Sequence, residues 1–111
     1  MIWEMNLNPE PFDLIKHGHK DVEMRLYDER RKGIKVGDEI LFTNNITFEK
    51  MTVKVINLYR FKDFEELYSY FDKKRLGYKD EEFASPSDME KYYSKDKIAQ
   101  YGVLGIEIKL K

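Results

Sequence analysis

Three side chains that could do chemistry together stand close in the sequence: Lys20, Glu23 and Arg25. A lysine in a partly closed cleft can bind phosphate as a point charge, or act as a base or nucleophile if desolvation lowers its pKa. Glu23 can accept a hydrogen bond from an exocyclic amine or act as a general base, and Arg25 can donate two hydrogen bonds to a carboxylate, phosphate or carbonyl. The spacing predicts a site for a small polar ligand.

The residues around this site alternate in the way typical of a β-strand. From residue 22 to residue 27 apolar and polar side chains alternate, so strand geometry places them on opposite faces. We expect the apolar face to be buried and the polar face to be exposed, with Glu23 and Arg25 about 6 to 7 Å apart. The alternative is that Glu23 and Arg25 only pair with each other on the exposed face, without a ligand, and contribute at most about 1 kcal/mol to stability. Exposure predicts that Lys20→Ala and Arg25→Ala leave stability nearly unchanged.

Several neighbouring residues are further candidates for ligand binding. Arg30 and Arg31 belong to a basic segment that either contacts phosphate or is a solvated loop. His19 either lines the cleft or is a solvated loop residue, and with His17 it lacks the ligand spacing of a metal site. The candidate for base stacking is Tyr93, or its neighbour Tyr92, with core packing as the alternative.

Composition narrows the class of protein. The chain has 111 residues and a formal net charge of −1, so nothing attracts nucleic acid or an anionic membrane in general, and such binding needs a local patch. There is no cysteine, which excludes disulfides and thiolate metal sites. No segment approaches the roughly 20 apolar residues of a membrane span. We expect one soluble, cytoplasmic domain over residues 1–111.

Periodicity and turn residues predict five strands and two or three short helices, an α+β arrangement. Asn8 and Pro9 begin the first helix, which ends at Gly18. A second helix follows Lys62 and ends at Gly77, and a capping box at Ser87 to Glu90 begins a third that contains Tyr92 and Tyr93. The predicted strands cover residues 1–7, 22–27, 40–43, 51–61 and 103–111.

The central residues also carry a family resemblance. Gly18, Lys20, Glu23 and Arg25 match all four positions of G-x-K-x-x-E-x-R, which resembles the signature of the ASCH domain, named for activating signal cointegrator homology. The following LYDERRKGIKVGDEILF and the closing GVLGIEIKL are also similar to the family. The resemblance covers nearly the whole chain and implies a small β-barrel similar to the PUA fold of RNA-modification proteins.

What the family does suggests activities for the cleft beside the signature. The resemblance implies binding of RNA or a modified nucleoside. Some small bacterial members remove the acetyl group of N4-acetylcytidine with a lysine that corresponds to Lys20 and a threonine nucleophile. Glu23 occupies the threonine position here, so that hydroxyl is absent. Glu81 or Glu82 falls near the family's catalytic glutamate. Other members resemble ribonucleases, for which Lys20, Glu23 and Arg25 are a sensible set.

Together these observations predict an ASCH domain that recognises RNA or a nucleotide-like small molecule. The alternative is a hydrolase at the same cleft, either an amidohydrolase or a ribonuclease, and a third alternative is a protein-interaction module in transcription or translation control. No cofactor or metal is predicted. The predicted catalytic residues are Lys20, Glu23 and Glu82, and the predicted ligand-binding residues are Gly18, His19, Lys20, Glu23, Arg25, Arg30, Arg31 and Tyr93.

Overall fold

Five β-strands form one sheet in the computed structural model, which describes residues 1–111. The strands are β1 Ile2–Leu7, β2 Val22–Leu26, β3 Glu39–Asn44, β4 Lys50–Phe61 and β5 Val103–Leu110. The helices are α1 Pro9–Lys16, α2 Phe64–Tyr70 and α3 Lys95–Tyr101, and two 3-10 helices cover Lys73–Leu76 and Pro86–Lys91. The predicted α+β class is therefore confirmed.

The sheet is mixed, with the strand order β1-β3-β4-β5-β2. β1 and β3 pair in parallel, and the other three pairings are antiparallel. The register of β4 shifts between Val55 and Asn57, and such a bulge bends a strand and increases its twist. The sheet curls into a half-barrel with β1 and β2 as its two edges. β5 lies inside the sheet, as its apolar alternation predicted.

The first helix begins and ends where its sequence indicates. Asn8 precedes Pro9 at the first helical position, and Gly18 follows the helix with a φ of 79°. A positive φ suits glycine because it has no Cβ. The side chain of Asn8 does not cap the helix, however, and it is free to bond elsewhere.

The predicted second helix is divided in two. Asp63 caps α2 by accepting a hydrogen bond from the Glu66 N–H, but the chain becomes extended at Phe71. Asp72 then caps the 3-10 helix at Lys73–Leu76, and Gly77 ends it with a φ of 104°. The apolar spacing predicted the buried face correctly, but a second capping aspartate interrupts the helix.

The capping box at Ser87 was a wrong prediction. Ser85 precedes the 3-10 helix at Pro86–Lys91 without a side-chain cap, and its hydroxyl bonds to that of Ser87. The capped helix is α3, whose Ser94 accepts a hydrogen bond from the Lys97 N–H. Tyr92 and Tyr93 therefore lie between two helices and not within one.

Two hydrophobic clusters cover opposite faces of the sheet. On β5, Leu104 and Ile106 belong to the first cluster, whereas the neighbouring Val103 belongs to the second. The first cluster contains Leu7, Phe12, Ile15, Ile34, Ile40, Phe42, Met51, Val53, Val55, Leu104, Ile106 and Ile108. The second contains Val22, Met24, Leu26, Phe64, Leu67, Phe71, Leu76, Met89 and Val103. No helix is long and apolar enough to cross a membrane.

Candidate functional site

A cavity of about 690 Å³ lies beside the signature residues. Its wall comes from the end of β1, the start of α1, β2, and the segments around the two 3-10 helices. The polar lining residues are Asn6, Asn8, Glu10, Lys20, Glu23, Arg25, Asn45, Tyr68, Tyr78, Glu82, Asp88, Lys91, Tyr92 and Tyr93. Its volume is within the range of ligand pockets, about 300 to 1,000 Å³.

Lys20 is buried, with only 6% of its surface exposed. Its Nζ donates to the main-chain carbonyl oxygens of Val22 at 2.9 Å and Leu76 at 3.0 Å, and lies 3.5 Å from Glu23 Oε1. These three oxygens match the three protons of an ammonium group. Burial lowers the pKa of Lys20, and the Glu23 carboxylate opposes this effect. Lys20 thereby joins β2 to the 3-10 helix at Lys73–Leu76.

Glu23 is also buried, and both of its oxygens have partners. Oε2 accepts from Arg25 Nε at 3.0 Å and Nη2 at 2.8 Å, and Oε1 accepts from the Met24 N–H at 3.2 Å. Burial favours a raised pKa for Glu23, but the charges of Arg25 and Lys20 outweigh burial and hold the pKa below its ordinary value. Glu23 is therefore a carboxylate that holds two cations.

Arg25 connects the two edges of the sheet. Its Nη2 donates to the main-chain carbonyl of Asn6 on β1 at 3.1 Å, while Glu23 binds the same guanidinium from β2. Burial favours a lower pKa for Arg25, but the attraction of the Glu23 carboxylate outweighs burial, and the pKa is raised. Tyr93 on the cavity wall also lies close to the guanidinium and adds to this rise.

The expected solvent exposure of this polar face was wrong. Val22, Met24 and Leu26 are buried as predicted, but Lys20 and Glu23 are buried as well. Tyr27 packs against the first cluster, and alternation places Glu23 and Arg25 on the same side of β2. Because the sheet curls, β1 returns to cover that side. The prediction that Lys20→Ala and Arg25→Ala leave stability unchanged assumed that both side chains are exposed, and this assumption is wrong.

A chain of hydroxyl groups forms another part of the cavity wall. The hydroxyls of Tyr68 and Tyr78 are 2.8 Å apart, and Tyr78 donates to Asp88 Oδ2 at 2.7 Å. Burial, together with the bonds to Tyr68 and Asp88, raises the pKa of Tyr78. The Tyr78 hydroxyl remains protonated and so holds the loop before Pro86 against the end of α2.

Two asparagines pair at the rim of the cavity. Asn45 Nδ2 donates to Asn8 Oδ1 at 2.6 Å, so the uncapped side chain of Asn8 is used in this pair. An amide has one acceptor and two donors. Asn45 Oδ1 and Asn8 Nδ2 are therefore left for other partners.

Charges in the cavity nearly balance. The cations that line it are Lys20, Arg25 and Lys91, and the carboxylates are those of Glu10, Glu23, Glu82 and Asp88. A lining of this kind does not concentrate phosphate groups. The cavity favours an uncharged polar ligand.

The sequence pattern of the ASCH domain matches residues 5–111. This chain belongs to the ASCH domain family. No curated protein matches it significantly. Its Lys20, Glu23 and Arg25, which resemble the ASCH signature, are the residues that form the buried ion network of the cavity.

Solved structures show the same fold. The crystal structure of hypothetical protein PH0355 is 32% identical with a TM-score of 0.85, over 100% of both chains. The solution structure of protein PF0455 from Pyrococcus furiosus is also 32% identical, with a TM-score of 0.75 over 99% of this chain and 97% of that one. The crystal structure of ASCH from Zymomonas mobilis is 15% identical with a TM-score of 0.69, over 97% of this chain and 66% of that one. These likenesses show the PUA-like ASCH fold predicted from the sequence.

Only some of the predicted site residues of this ASCH domain line the cavity. Glu82 and Tyr93 do so together with Lys20, Glu23 and Arg25, whereas Glu81 does not. The residues outside the lining are Gly18, His19, Arg30 and Arg31. The side chain of Arg31 instead pairs with Asp28 at 2.7 Å. No group of three His, Asp or Glu side chains could hold a metal ion.

Sequence reasoning missed several lining residues of the ASCH cavity. Asn8 and Asn45 were interpreted as a helix cap and a turn residue, and Asp88 as part of a capping box. These assignments use only neighbouring residues in the sequence. Nothing in those neighbours indicates that the three side chains line one cavity. The pairing of Asn8 with Asn45, 37 positions apart, depends on the packing of β1 beside β3.

Proposed function

We propose that the cavity binds a nucleobase, either of an RNA nucleotide or of a free nucleoside. The observation that carries this proposal is a lining with balanced charges and an available aromatic ring, Tyr92. Bases have a π-face that stacks on aromatic rings and edges with donors and acceptors. An uncharged planar ligand fits such a lining better than a polyphosphate does.

The lining side chains take different roles in this proposal. Tyr92 stacks on the base, since this residue lines the cavity and is 54% exposed. Tyr93 is less available because its ring already stacks on Phe64, with centroids 6.1 Å apart. Arg25 donates to a ligand oxygen, while Glu23 and the Asn6 carbonyl hold its guanidinium in place.

Hydrolysis of an acylated nucleoside is a second candidate, favoured by the buried amine of Lys20. Burial lowers the pKa of Lys20, which makes its ammonium easier to deprotonate, and the amine formed in this way can take a proton from water. Water then adds to the acyl carbon, the C–N bond breaks, and the amine leaves with a proton. Glu82, on the cavity wall, would assist as the acid or base.

Binding by wild type and two matched variants tests the proposal. Tyr92→Ser removes an exposed ring at the cavity. Tyr70→Ser removes a ring that does not line the cavity, from a residue that is 62% exposed against 54% for Tyr92. Loss of a stacked base costs about 1 to 3 kcal/mol, so we expect Tyr92→Ser to weaken nucleoside and single-stranded RNA binding about fivefold to a hundredfold. Calorimetry should show Tyr70→Ser unchanged.

The same samples separate binding from hydrolysis. Wild type incubated with N4-acetylcytidine is analysed by liquid chromatography for cytidine. Release of cytidine that Lys20→Met abolishes would favour the hydrolase. Failure of wild type to bind any nucleoside or RNA, or equal effects of the two tyrosine variants, would refute the proposed function.

A further inference from the structure

A basic surface lies beyond the cavity at the end of β2. Arg60, near the end of β4, places its guanidinium carbon 3.9 Å from the ring centroid of Tyr27, a cation–π contact. Arg30 and Arg60 have no carboxylate within 4.0 Å, and Lys32 pairs only with the exposed Glu29. We call Tyr27, Arg30, Lys32 and Arg60 the basic surface.

Lys32 follows Tyr27 in the same loop and also lies near Arg60 in space. A hydrogen bond to Glu29 raises the pKa of Lys32, nearby Tyr27 adds to the rise, and Arg60 opposes it. The loop after β2 is fixed by the Asp28–Arg31 ion pair and by main-chain bonds from Arg31 and Lys32 to Asp28. Tyr27 and Lys32 thus lie near Arg60, although they come from a different segment of the chain. Arg30 is exposed on the same loop as Lys32.

The basic surface is continuous with the cavity. Tyr27 comes directly after β2, two positions beyond Arg25, and its backbone N–H donates to the Gly102 carbonyl oxygen. Two residues of extended chain span about 6 to 7 Å. Tyr93, which lines the cavity, also lies near the base of the loop: burial raises the pKa of Tyr93, and Arg25 and Arg31 oppose the rise. One extended ligand can therefore contact both places.

The cavity and the basic surface differ in charge. The cavity has more carboxylates than cations, and the whole chain has a net charge of −1. In contrast, the basic surface and its loop combine five cations with the three carboxylates of Asp28, Glu29 and Asp38; the cations are Arg30, Arg31, Lys32, Lys35 and Arg60. Phosphates are attracted to this region and not to the cavity.

We propose that the basic surface binds the phosphates of single-stranded RNA whose base occupies the cavity. This inference rests on the proposed function and extends it, because it makes the preferred ligand an RNA strand and not a free nucleoside. Arg60 is held over Tyr27 and presents its N–H groups to a phosphate. Arg30 and Lys32 contact the same phosphate or its neighbour.

The test measures how RNA affinity depends on salt. A labelled single-stranded RNA octamer is titrated with wild type, Arg60→Gln and Arg30→Gln at several KCl concentrations. Each lost phosphate contact should lower the slope of log K against log salt by about 0.7, and weaken binding several-fold at low salt. Nucleoside affinity should be unchanged, and Arg60→Lys should retain most of the slope.

Lys109→Gln is the matched control. Lys109 is an exposed cation without a carboxylate partner on β5, and alternation places it opposite Ile108 of the first cluster. It thus lies on the other face of the sheet from Tyr27. We expect this variant to bind RNA with the wild-type slope, and thermal unfolding should show that all variants are folded.

The outcomes distinguish the two proposals. If wild type binds nucleosides through Tyr92 but binds RNA no better and without salt dependence, the basic surface is refuted and the proposed function stands. If Arg60→Gln and Arg30→Gln lower the slope while Tyr92→Ser changes nothing, the basic surface is confirmed and the cavity proposal fails. Equal effects of Arg60→Gln and Lys109→Gln would also overturn the inference.

Discussion

At the scale of the residue, one carboxylate organises the site. Glu23 binds Arg25 through Oε2 and lies 3.5 Å from Lys20 through Oε1. Each group is buried or nearly so. A buried ion network is costly to disrupt because the remaining charges lose their partner. Its geometry keeps Arg25 directed between the two edges of the sheet.

Removing this carboxylate should destabilise the protein strongly. We expect Glu23→Ala to lower the free energy of unfolding by about 3 to 5 kcal/mol, since it leaves two buried cations unpaired. Glu29→Ala, which breaks the exposed pair with Lys32, should change the free energy of unfolding little. Urea denaturation measures both. Similar small losses in the two variants would show that the network is hydrated and not buried.

At the scale of the element, the 3-10 helix at Lys73–Leu76 positions Lys20. The helix ends at Gly77 in the left-handed conformation, and Leu76 supplies a carbonyl oxygen to Lys20. A Cβ at residue 77 would lie 3.2 Å from Lys20 Cδ and 3.3 Å from Leu14 Cδ1. Glycine is therefore needed there for both backbone conformation and space.

Gly37 provides a control for the conformational part of this effect. It has a φ of 96°, but no atom lies within 4 Å of its would-be Cβ. Gly37→Ala should cost about 1 to 2 kcal/mol from the left-handed backbone alone. Gly77→Ala should cost at least about 1 kcal/mol more because it also crowds Lys20 and Leu14. Thermal unfolding measures the stability of both variants. Equal losses of stability would mean that the Lys20 side chain shifts at little cost to make room for a Cβ at residue 77.

At the scale of the whole molecule, β5 couples the two hydrophobic clusters. It pairs with both β4 and β2, and it contributes Val103 to the second cluster and Leu104, Ile106 and Ile108 to the first. A strand shared in this way transmits the loss of one cluster to the other. The two faces should unfold together, as is usual for a small single-sheet protein.

A substitution on one face can be followed by a probe on the other. Leu67 is fully buried in the second cluster, so Leu67→Ala should lower the free energy of unfolding by about 2 to 5 kcal/mol. Trp3, the single tryptophan, packs against the first cluster. Its fluorescence should shift to the same lower urea midpoint as far-UV circular dichroism. Two separate midpoints would disprove the coupling.

Much of the fold followed from local patterns. Alternation predicted the strands, including the position of β5 inside the sheet, and Pro9 and Gly18 marked the limits of α1. The division of the second helix was not predicted. The Asp72 side chain accepts a hydrogen bond from the Lys74 N–H and so begins a new 3-10 helix, and only the structure shows this bond. The prediction at Ser87 failed because several serines stand close together before helical segments, and only Ser94 caps a helix with its side chain.

The sequence alone determined that Lys20, Glu23 and Arg25 lie close together, because they stand before and along one strand. It also determined the ASCH resemblance, which the match over residues 5–111 bears out. Only the tertiary structure decided that this group is buried and that Asn8, Asn45 and the tyrosines complete a cavity around it. Alternation states which side chains share a face, whereas what covers that face depends on how distant strands pair and curl.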